Sequence, residues 1–290
     1  MKRARAEILS TRKLGAYHSL TLVAPEIAER ARPGQFVAVK MPEGRDFILP
    51  RHFAIHQASR RGGWAGTLEF VVEPTGPGSS WLAGAKAHEF LDVIGPLGKG
   101  FAFPKRLTNC LLVAEGRGAA SLYFLAQELL ARRKRVDMVV GAETMDGVLK
   151  PIEAKRLSQT VAIVTADGTL GGRGDVVSAL PEMVERTKTD VLYAAAGSAT
   201  LERIAAFCKE QAIPAQIAIE EPMACGFGLC FGCVVPVARP DGSGYEHLRA
   251  CVEGPVFNPA RVLWDRWLTG EPQAIPTPPE GLPVVGSWPG

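Results

Sequence analysis

Hydrophobic and polar residues alternate in short runs through the first 105 residues of the chain. Clear runs lie at 19–23, 35–39 and 66–72, and glycine, proline and other turn residues separate them. Alternation of this kind places one face of a strand in a core and the other in solvent. Strands that follow one another between turns predict an antiparallel β-barrel over residues 1–105. Residues 95–100 are expected to form a turn-rich exit from the barrel.

The hydrophobic period changes between residues 106 and 220. Continuous apolar runs alternate there with stretches of helical spacing. The predicted strands are 110–114, 136–140, 160–165, 190–195 and 215–219, and the predicted helices are 119–133, 174–187 and 199–211. Such βαβ units form a mostly parallel sheet. The expected fold class is therefore β plus α/β: an antiparallel barrel, a nucleotide-binding-type domain with a parallel sheet, and a small C-terminal domain.

Four of the six cysteines lie close together near the C-terminus. They follow the order C-x4-C-x2-C-x17-C and are Cys225, Cys230, Cys233 and Cys251. This is the ligand spacing of a plant-type [2Fe–2S] cluster. Gly226, Gly228 and Gly232 are expected to give the backbone room and positive φ values around the sulfide. We therefore predict a [2Fe–2S] domain over residues 221–270.

Other readings of these cysteines are less consistent with the sequence. A structural zinc site usually has two C-x2-C knuckles, and this segment has one. Disulfides are disfavoured because nothing in the sequence indicates secretion. Cys110 and Cys208 lie in apolar runs and are expected to be buried core thiols. The proline-rich segment 271–290 is expected to be an unstructured tail.

Composition describes an ordinary globular protein. The chain has 290 residues, 47% hydrophobic and 22% charged, with a net charge of +3. This length accommodates two domains and a small appendage, and this charge gives no support for nucleic-acid binding. No apolar run reaches the ~18 residues of a membrane span, and the segment after the basic N-terminus lacks the apolar run expected of a signal peptide. We expect a cytoplasmic location, where cysteine thiolates stay reduced.

The segments 221–236 and 250–257 resemble the cluster signature of one flavoprotein family. This family comprises the electron-transfer subunits of B-type dihydroorotate dehydrogenases, within the ferredoxin-reductase-like superfamily. The likeness in domain order covers about residues 5–268. It implies an oxidoreductase subunit of pyrimidine biosynthesis that binds FAD and a [2Fe–2S] cluster. It also implies a hetero-oligomer in which electrons pass between an FMN-containing dehydrogenase subunit and NAD.

The resemblance also suggests cofactor-binding residues. In the family an Arg-Pro-x-Ser motif holds FAD, and Arg51-His52-Phe53-Ala54 stands in its place here. Arg51 would pair with the pyrophosphate, because a guanidinium binds two phosphate oxygens at once. Phe53 would pack on the ring system, whereas Ala54 lacks the hydroxyl that the family serine places near flavin N5. The complete set of expected binding residues is Arg51, His52, Phe53, Ala54, Val71, Val72, Gly78, Ser79, Gly116 and Gly118.

Two glycine-containing turns belong to this set. Gly76-Pro77-Gly78-Ser79 resembles the family's phosphate turn, in which Gly78 would allow close approach and Ser79 would donate to phosphate. Gly116 and Gly118 would present backbone N–H groups to a second pyrophosphate, with Arg117 adding positive charge. A G-x-G turn is also a common packing device without a ligand.

Three departures from the family concern nicotinamide chemistry. Ala54 replaces the serine, Ala196 stands where a cysteine is usual, and Glu115 places a carboxylate beside the proposed anion site unless it turns away. Asp167-Gly168 resembles the family's loop for the other end of the nucleotide and is also a plain turn signal. Glu143 is a candidate contact for a ribose hydroxyl. Use of NAD(H) is therefore left open, and no catalytic acid–base residue is predicted.

Two alternatives remain at this point. The same three-part layout occurs in small subunits of ferredoxin-NADP reductase and sulfhydrogenase complexes. A chain that keeps FAD and the cluster but no longer uses pyridine nucleotide would instead serve as a relay or stabilising subunit. Reduction by NADH discriminates between this last hypothesis and the others.

Overall fold

The first unit is a closed six-stranded antiparallel barrel. The structure, a computed structural model, describes residues 1–41, 47–60, 63, 66–106 and 108–269. The barrel strands are β1 (Lys2–Leu14), β2 (Tyr17–Val23), β3 (Phe36–Lys40), β4 (Arg51–Ser59), β5 (Thr67–Val72) and β6 (Phe90–Leu97), in the order β1-β2-β5-β4-β3-β6. Two short helices accompany them, α1 (Pro25–Ala28) and α2 (Pro77–Ala83). The predicted barrel is confirmed.

The alternation in the sequence corresponds to the inside and outside of this barrel. Leu20 and Leu22, for example, are fully buried in the barrel core, and Thr21 between them is partly exposed. The predicted exit at 95–100 is wrong for its first three residues. Strand β6 continues through Leu97 because Leu97 pairs with Phe36 of β3, beyond Gly95, the last partner of β1.

The second unit is a seven-stranded sheet with helices on both faces. Its strands are β7 (Asn109–Glu115), β8 (Arg135–Ala142), β9 (Val161–Thr165), β10 (Gly172–Arg173), β11 (Val191–Ala195), β12 (Ala215–Ala218) and β15 (Val256–Phe257). The order is β10-β9-β8-β7-β11-β12-β15, and every pairing is parallel except β12 with β15. The predicted parallel sheet is confirmed.

Successive residues of β7 enter apolar clusters on opposite faces of this sheet. Cys110 and Leu112 pack on one side, and Leu111 and Val113 pack on the other. Burial on both faces explains why the strand is a continuous apolar run and does not alternate. Cys110 and Cys208 are buried as expected, and burial raises the pKa of each thiol to about 11.

The helices of this unit are α3 (Ala119–Ala131), α4 (Pro151–Leu157), α5 (Leu180–Thr187) and α6 (Ser198–Glu210). The helix predicted over 174–187 begins only at Leu180. Residues 174–179 form a turn in which the Ser178 N–H donates to Asp175 Oδ1, and Gly174 has φ +142°. Helix α4 was not predicted from the sequence.

The C-terminal segment adds an antiparallel hairpin of β13 (Val234–Ala238) and β14 (Tyr245–Arg249), followed by β15 and α7 (Trp264–Thr269). The cysteine loop lies between β12 and β13. Within the described ranges, no helix is both long and apolar enough to cross a membrane. The predicted tail at 271–290 lies outside the described residues. The division into 1–105, 106–220 and 221–270 is kept as a proposal.

Candidate functional site

A cleft of about 490 Å³ lies between the barrel and the carboxyl ends of the parallel strands. Its walls are the start of β4, the start of α2, the start of α3, and the ends of β11 and β12. The carboxyl edge of a parallel sheet is where α/β proteins bind ligands. The volume is in the usual range for small-molecule sites, roughly 300–1,000 Å³. The cleft is therefore the candidate cofactor site.

Arg51 and Gly78 meet at the barrel side of this cleft. The Arg51 Nη1 donates to the Leu49 carbonyl at 2.8 Å. A Cβ on Gly78 would stand 2.7 Å from Arg51 Nε, so the turn at residue 78 needs glycine for space. Among the residues that the structure describes, no carboxylate pairs with Arg51. The N–H donors of Arg51 that have no acceptor among the described residues fit a phosphate group of FAD.

Ser79 is engaged within the turn itself. Its Oγ accepts from the N–H groups of Thr75 and Gly76 at 3.0 and 3.1 Å, and it donates to the Gly76 carbonyl at 3.1 Å. The hydroxyl hydrogen is thus directed at the Gly76 carbonyl. In this arrangement Ser79 shapes the turn that places Gly78 under Arg51.

Of four other residues expected on the flavin side, three line the cleft and one does not. Ala54 and Val71 line the cleft. Phe53 also reaches it, with its ring stacked on Phe70 at 4.9 Å between centroids. Val72 does not line it, because its side chain points into the barrel core and is fully buried. Successive side chains of a strand point to opposite faces, so Val71 faces the cleft and Val72 faces the barrel core.

His52 lines the cleft on the side of the cysteine loop. Its ring meets the edge of Phe36 at 5.8 Å. Burial, with a further contribution from Arg51, lowers the pKa of His52, although backbone groups of Cys225 and Met223 oppose this shift. Its Nε2 is buried and has no hydrogen-bond partner among the described residues.

The G-x-G turn is a short 3-10 segment, Gly116–Gly118, that runs into α3. Gly118 lines the cleft and Gly116 does not. A side chain on Gly118 would collide with the Ala195 carbonyl, so this glycine is required for packing of the turn against β11. Gly116 has φ +55°, a conformation that suits glycine.

The charges around this turn are already paired. Arg117 contacts Glu73 at 3.1 Å and Glu220 at 2.8 Å, so it bridges the barrel and the segment after β12. The Glu115 carboxylate accepts from Thr200 Oγ1 at 2.7 Å, in the first turn of α6. Glu115 therefore turns away from the α3 turn, and its charge lies at a helix N-terminus that favours it.

Ala196 and Asp167 are two other residues expected at the nucleotide site. Ala196 is buried in the apolar cluster beneath α6, and the neighbouring Ala195 lines the cleft in its place. Asp167 accepts from both the N–H and the hydroxyl of Thr169, at 3.0 and 2.7 Å. The Asp167 carboxylate therefore accepts its hydrogen bonds from within the turn that follows β9.

The four cysteines of the C-terminal segment, three in the loop before β13 and Cys251 after β14, differ in exposure. Cys230 is exposed, Cys225 is half-buried, and Cys233 and Cys251 are buried. The N–H of Phe227 donates to Cys225 Sγ at 3.4 Å, and the N–H of Gly232 donates to Cys230 Sγ at 3.5 Å. Burial would raise the pKa of Cys225, but hydrogen bonds from Phe227 and Cys230 lower it to about 6. The thiolate, the form that binds iron, is thereby favoured at Cys225.

The loop backbone uses left-handed conformations at three positions. Gly226 and Gly228 have φ +77° and +82°, and Phe231 has φ +53°. The expectation of a positive φ at Gly232 is wrong, because Phe231 takes that conformation instead. The N–H of Gly232 is then free to donate to Cys230 Sγ.

The thiols lie near one another in two pairs. Burial and the neighbouring Cys233 raise the pKa of Cys251, and Cys230 contributes to the lowered pKa of Cys225. Within the described part of the chain, no three metal-binding side chains converge on a single point. One zinc ion needs its four ligands around a single centre. A [2Fe–2S] core offers two irons to four thiolates, so the donor set fits this cluster.

Arg249 supports the loop and was not identified from the sequence. Its Nη1 donates to the Gly228 carbonyl at 3.0 Å, its Nη2 pairs with Glu253 at 2.7 Å, and its guanidinium lies 5.1 Å from the centre of the Phe231 ring. The spacing of Arg249 and Glu253 on either side of Cys251 was the available signal. Arg249 and Glu253 are not among the assigned cluster ligands. Their contacts fix the exposed part of the loop in place.

Comparisons with known proteins agree with this architecture. A family model described as the iron–sulfur cluster binding domain of dihydroorotate dehydrogenase B matches residues 220–263. The dihydroorotate dehydrogenase B (NAD(+)) electron transfer subunit of Desulforamulus reducens is 34% identical over 242 residues, 83% of this chain and 90% of the relative. The protein of the same name from Bacillus cereus is 33% identical over 248 residues, 85% of this chain and 92% of the relative.

Solved structures give the same picture. A structure of an NADH-dependent reduced ferredoxin-NADP oxidoreductase superposes with a TM-score of 0.79 and 26% identity, covering 92% of each chain. The ferredoxin reductase of carbazole 1,9a-dioxygenase has a TM-score of 0.61 at 19% identity and covers 73% of this chain and 67% of that one. This second likeness concerns the fold alone.

The barrel, the parallel sheet and the four-cysteine segment define a ferredoxin-reductase-like protein with an iron–sulfur binding domain. Within that class, the chain belongs to the family of dihydroorotate dehydrogenase B electron transfer subunits.

Proposed function

We propose that this chain is the electron-transfer subunit of an NAD-linked dihydroorotate dehydrogenase complex, an oxidoreductase of pyrimidine biosynthesis located in the cytoplasm. The observation that carries this proposal is family membership at 34% identity over most of the chain, together with the spacing of the four cysteines in the matched iron–sulfur segment. Electrons would enter from an FMN-containing catalytic subunit, pass through the cluster and FAD of this chain, and reach NAD+.

Each centre has its supporting residues. Arg51 and the turn at Gly78 would bind the FAD pyrophosphate, and His52, Phe53, Ala54 and Val71 would surround the rest of the flavin half. Bound FAD supplies the exchange between a two-electron carrier and a one-electron carrier. The four cysteines would hold the [2Fe–2S] cluster.

The nucleotide side of the proposal rests on the turn before α3. The 3-10 segment at Gly116–Gly118 leads into α3, and backbone N–H groups at a helix start favour an anion. Glu115 does not oppose this, since its carboxylate is held by Thr200. Arg117, by contrast, is paired with Glu73 and Glu220 and would not contact the phosphate.

The test is reconstitution of the complex. The chain is co-expressed with an FMN-containing dihydroorotate dehydrogenase subunit from the same source, and dihydroorotate-dependent NAD+ reduction is measured. We expect NADH formation with the wild-type chain and none with Cys230→Ala, whereas Cys208→Ala, which removes a core thiol, retains activity. A complex that oxidises dihydroorotate with an artificial acceptor but never reduces NAD+ would contradict the proposal.

A second candidate is the small subunit of a ferredoxin-NADP reductase type complex. The likeness to the NADH-dependent reduced ferredoxin-NADP oxidoreductase, with 92% coverage of both chains, favours it. Flavin reduction by reduced ferredoxin, and no activity with a dihydroorotate dehydrogenase subunit, would support this candidate over the first.

A further inference from the structure

His52 lies where the cofactor cleft and the cysteine loop meet. Its backbone belongs to β4, directly after Arg51, and its side chain lines the cleft. The same ring lies against Gly226, the residue after Cys225. One side chain therefore contacts both candidate redox sites.

The contact between His52 and Gly226 is close. A side chain on residue 226 would collide with the Nε2 and Cδ2 atoms of His52. Gly226 also has φ +77°, so its backbone turns in a way that L side chains rarely adopt. The imidazole thus occupies the space that a loop side chain would fill, and the loop backbone is pressed against the barrel strand.

The ring nitrogen at this contact has no hydrogen bond. His52 Nε2 is buried and has no partner within the described ranges. Buried polar groups are nearly always paired, and an exception in a native structure needs an explanation. Backbone groups of Met223 and Cys225 face the imidazole. The unpaired nitrogen is therefore directed at the segment that carries the first cluster ligand.

The loop is supported from its other side by Arg249, which donates to the Gly228 carbonyl. Arg249 belongs to the same C-terminal segment as the loop, so it cannot fix the loop relative to the barrel. His52 belongs to the barrel and does reach across. Groups that orient a metal ligand typically affect metal affinity or activity by ~10–100-fold when they are removed.

We propose that His52 is the positioning residue that fixes the cysteine loop on the flavin-binding strand, and that it thereby sets electron transfer between flavin and cluster. This inference rests on the proposed FAD and [2Fe–2S] centres. It concerns the imidazole as a spacer whose Nε2 has no partner among the described residues, and it assigns the imidazole no bond to iron.

The test compares His52→Ala, which removes the ring, with His52→Gln, which keeps an N–H donor on a side chain of similar length. His88→Asn is the matched control, because His88 is an exposed barrel histidine at positive φ, which asparagine tolerates. The first readout is hydrogen–deuterium exchange of residues 223–233 in cluster-free protein. The second is the rate of cluster bleaching after photoreduction of the flavin in reconstituted protein.

We expect faster exchange across the loop and ~10-fold slower cluster reduction in His52→Ala, with both restored towards wild type in His52→Gln. Gly226→Ala disturbs the same contact from the loop side and should reproduce the exchange result even if His52→Ala folds poorly. Wild-type exchange and wild-type transfer rates in His52→Ala would overturn the inference, as would equal effects in His88→Asn. A wild-type protein that binds neither flavin nor iron would instead refute the proposed function, and the exchange experiment would still decide the role of His52.

Discussion

The guanidinium of Arg51 lies against the backbone of Gly78, close enough that a Cβ on residue 78 would stand 2.7 Å from Nε and 2.9 Å from Nη2. The two residues come from different elements, β4 and the first turn of α2. Because Gly78 has no side chain, the charged guanidinium of Arg51 can lie against its backbone. This arrangement is the centre of the candidate FAD site.

Substitution of either Arg51 or Gly78 should weaken FAD binding. Arg51→Lys keeps the charge but loses the planar fork, and Gly78→Ala pushes the guanidinium aside while leaving the charge unchanged. A hydrogen bond to a charged group is worth roughly 1.5–3 kcal/mol, so we expect the FAD dissociation constant to rise ~10–100-fold in each variant. Flavin fluorescence titration of apoprotein measures this constant. Arg203→Lys, at the surface pair with Asp175, is the control, and an equal loss there would argue against a specific role for Arg51.

Loss of Cys230 should abolish the cluster. Cys230→Ala removes one of the paired thiols, and the remaining three cannot complete the ligand set of a two-iron core. We expect little bound iron or acid-labile sulfide after anaerobic reconstitution. Cys208→Ala, which changes a buried thiol of α6, should retain both. Unchanged iron and sulfide in Cys230→Ala would exclude this cysteine as a ligand.

A buried polar network joins the barrel to the α/β unit at the far end of β4. The Nδ1 of His56 faces the carbonyl of Ala120 at 3.0 Å, and its Nε2 faces Lys150 Nζ at 2.8 Å. A carbonyl only accepts and an ammonium only donates, so His56 is neutral with its hydrogen on Nδ1. Lys150 also pairs with Glu69 at 2.8 Å. Tyr123 and Glu153 complete the surroundings of the imidazole.

This network predicts a stability that falls on acidification. Burial, partly opposed by the charge of Glu69, lowers the pKa of His56 below its ordinary value. The unfolded chain therefore takes up a proton first as the pH drops below ~6.5, and the free energy of unfolding decreases. The pKa of Glu69 is also lowered, because the Lys150 ammonium and a hydrogen bond from Ser19 outweigh the effect of its burial. Its contribution is lost at still lower pH.

Thermal unfolding between pH 8 and pH 5 tests this dependence. Wild type should be nearly constant above pH ~7 and lose stability below pH ~6.5, where an ordinary histidine takes up its proton. His56→Gln should be less stable by ~1–3 kcal/mol at pH 8, because buried groups lose their partner, and should show a flatter profile between pH ~6.5 and ~5. His88→Asn should keep the wild-type profile. A wild-type protein with no change over this range would contradict the assigned protonation.

Ala54 offers a gain-of-function experiment. It lines the cleft, and the family resemblance implies a serine near flavin N5 at this position. Ala54→Ser adds one hydroxyl donor, and one hydrogen bond of ~1 kcal/mol made in the transition state corresponds to roughly a fivefold rate increase. Stopped-flow reduction by NADH measures it, with Ala54→Gly as the control for the small change in size. A slower Ala54→Ser variant would show that the alanine is adapted to this cleft.

The hydrophobic pattern was sufficient to predict the fold class, because the spacing of apolar residues along the chain reflects the local secondary structure. The alternation at 19–23 and the apolar run at 110–114 became a barrel strand and a doubly covered sheet strand. Helix α4 was missed since its seven residues are too few for a periodic signal and its start depends on Lys150 in a left-handed conformation. The start of α5 was placed too early because Asp175 and Ser178 form a local turn instead.

The candidate site was predictable where a single segment determines the chemistry. The cysteine spacing and the glycines at 226 and 228 are of this kind. Contacts between distant segments were not predictable: the orientation of Glu115 depends on Thr200, the neutralisation of Arg117 depends on Glu73 and Glu220, and the place of His52 depends on the cysteine loop. These contacts form only after the barrel, the sheet and the loop have packed together.

The most direct test of the proposed function is an anaerobic titration of the purified, iron-reconstituted protein with NADH, followed in the visible spectrum. We expect NADH to bleach both the flavin and the cluster absorbance despite the substitutions at Ala54 and Ala196. Bleaching of both centres by dithionite but of neither by NADH would contradict it, and would leave the chain as a relay subunit without pyridine-nucleotide chemistry.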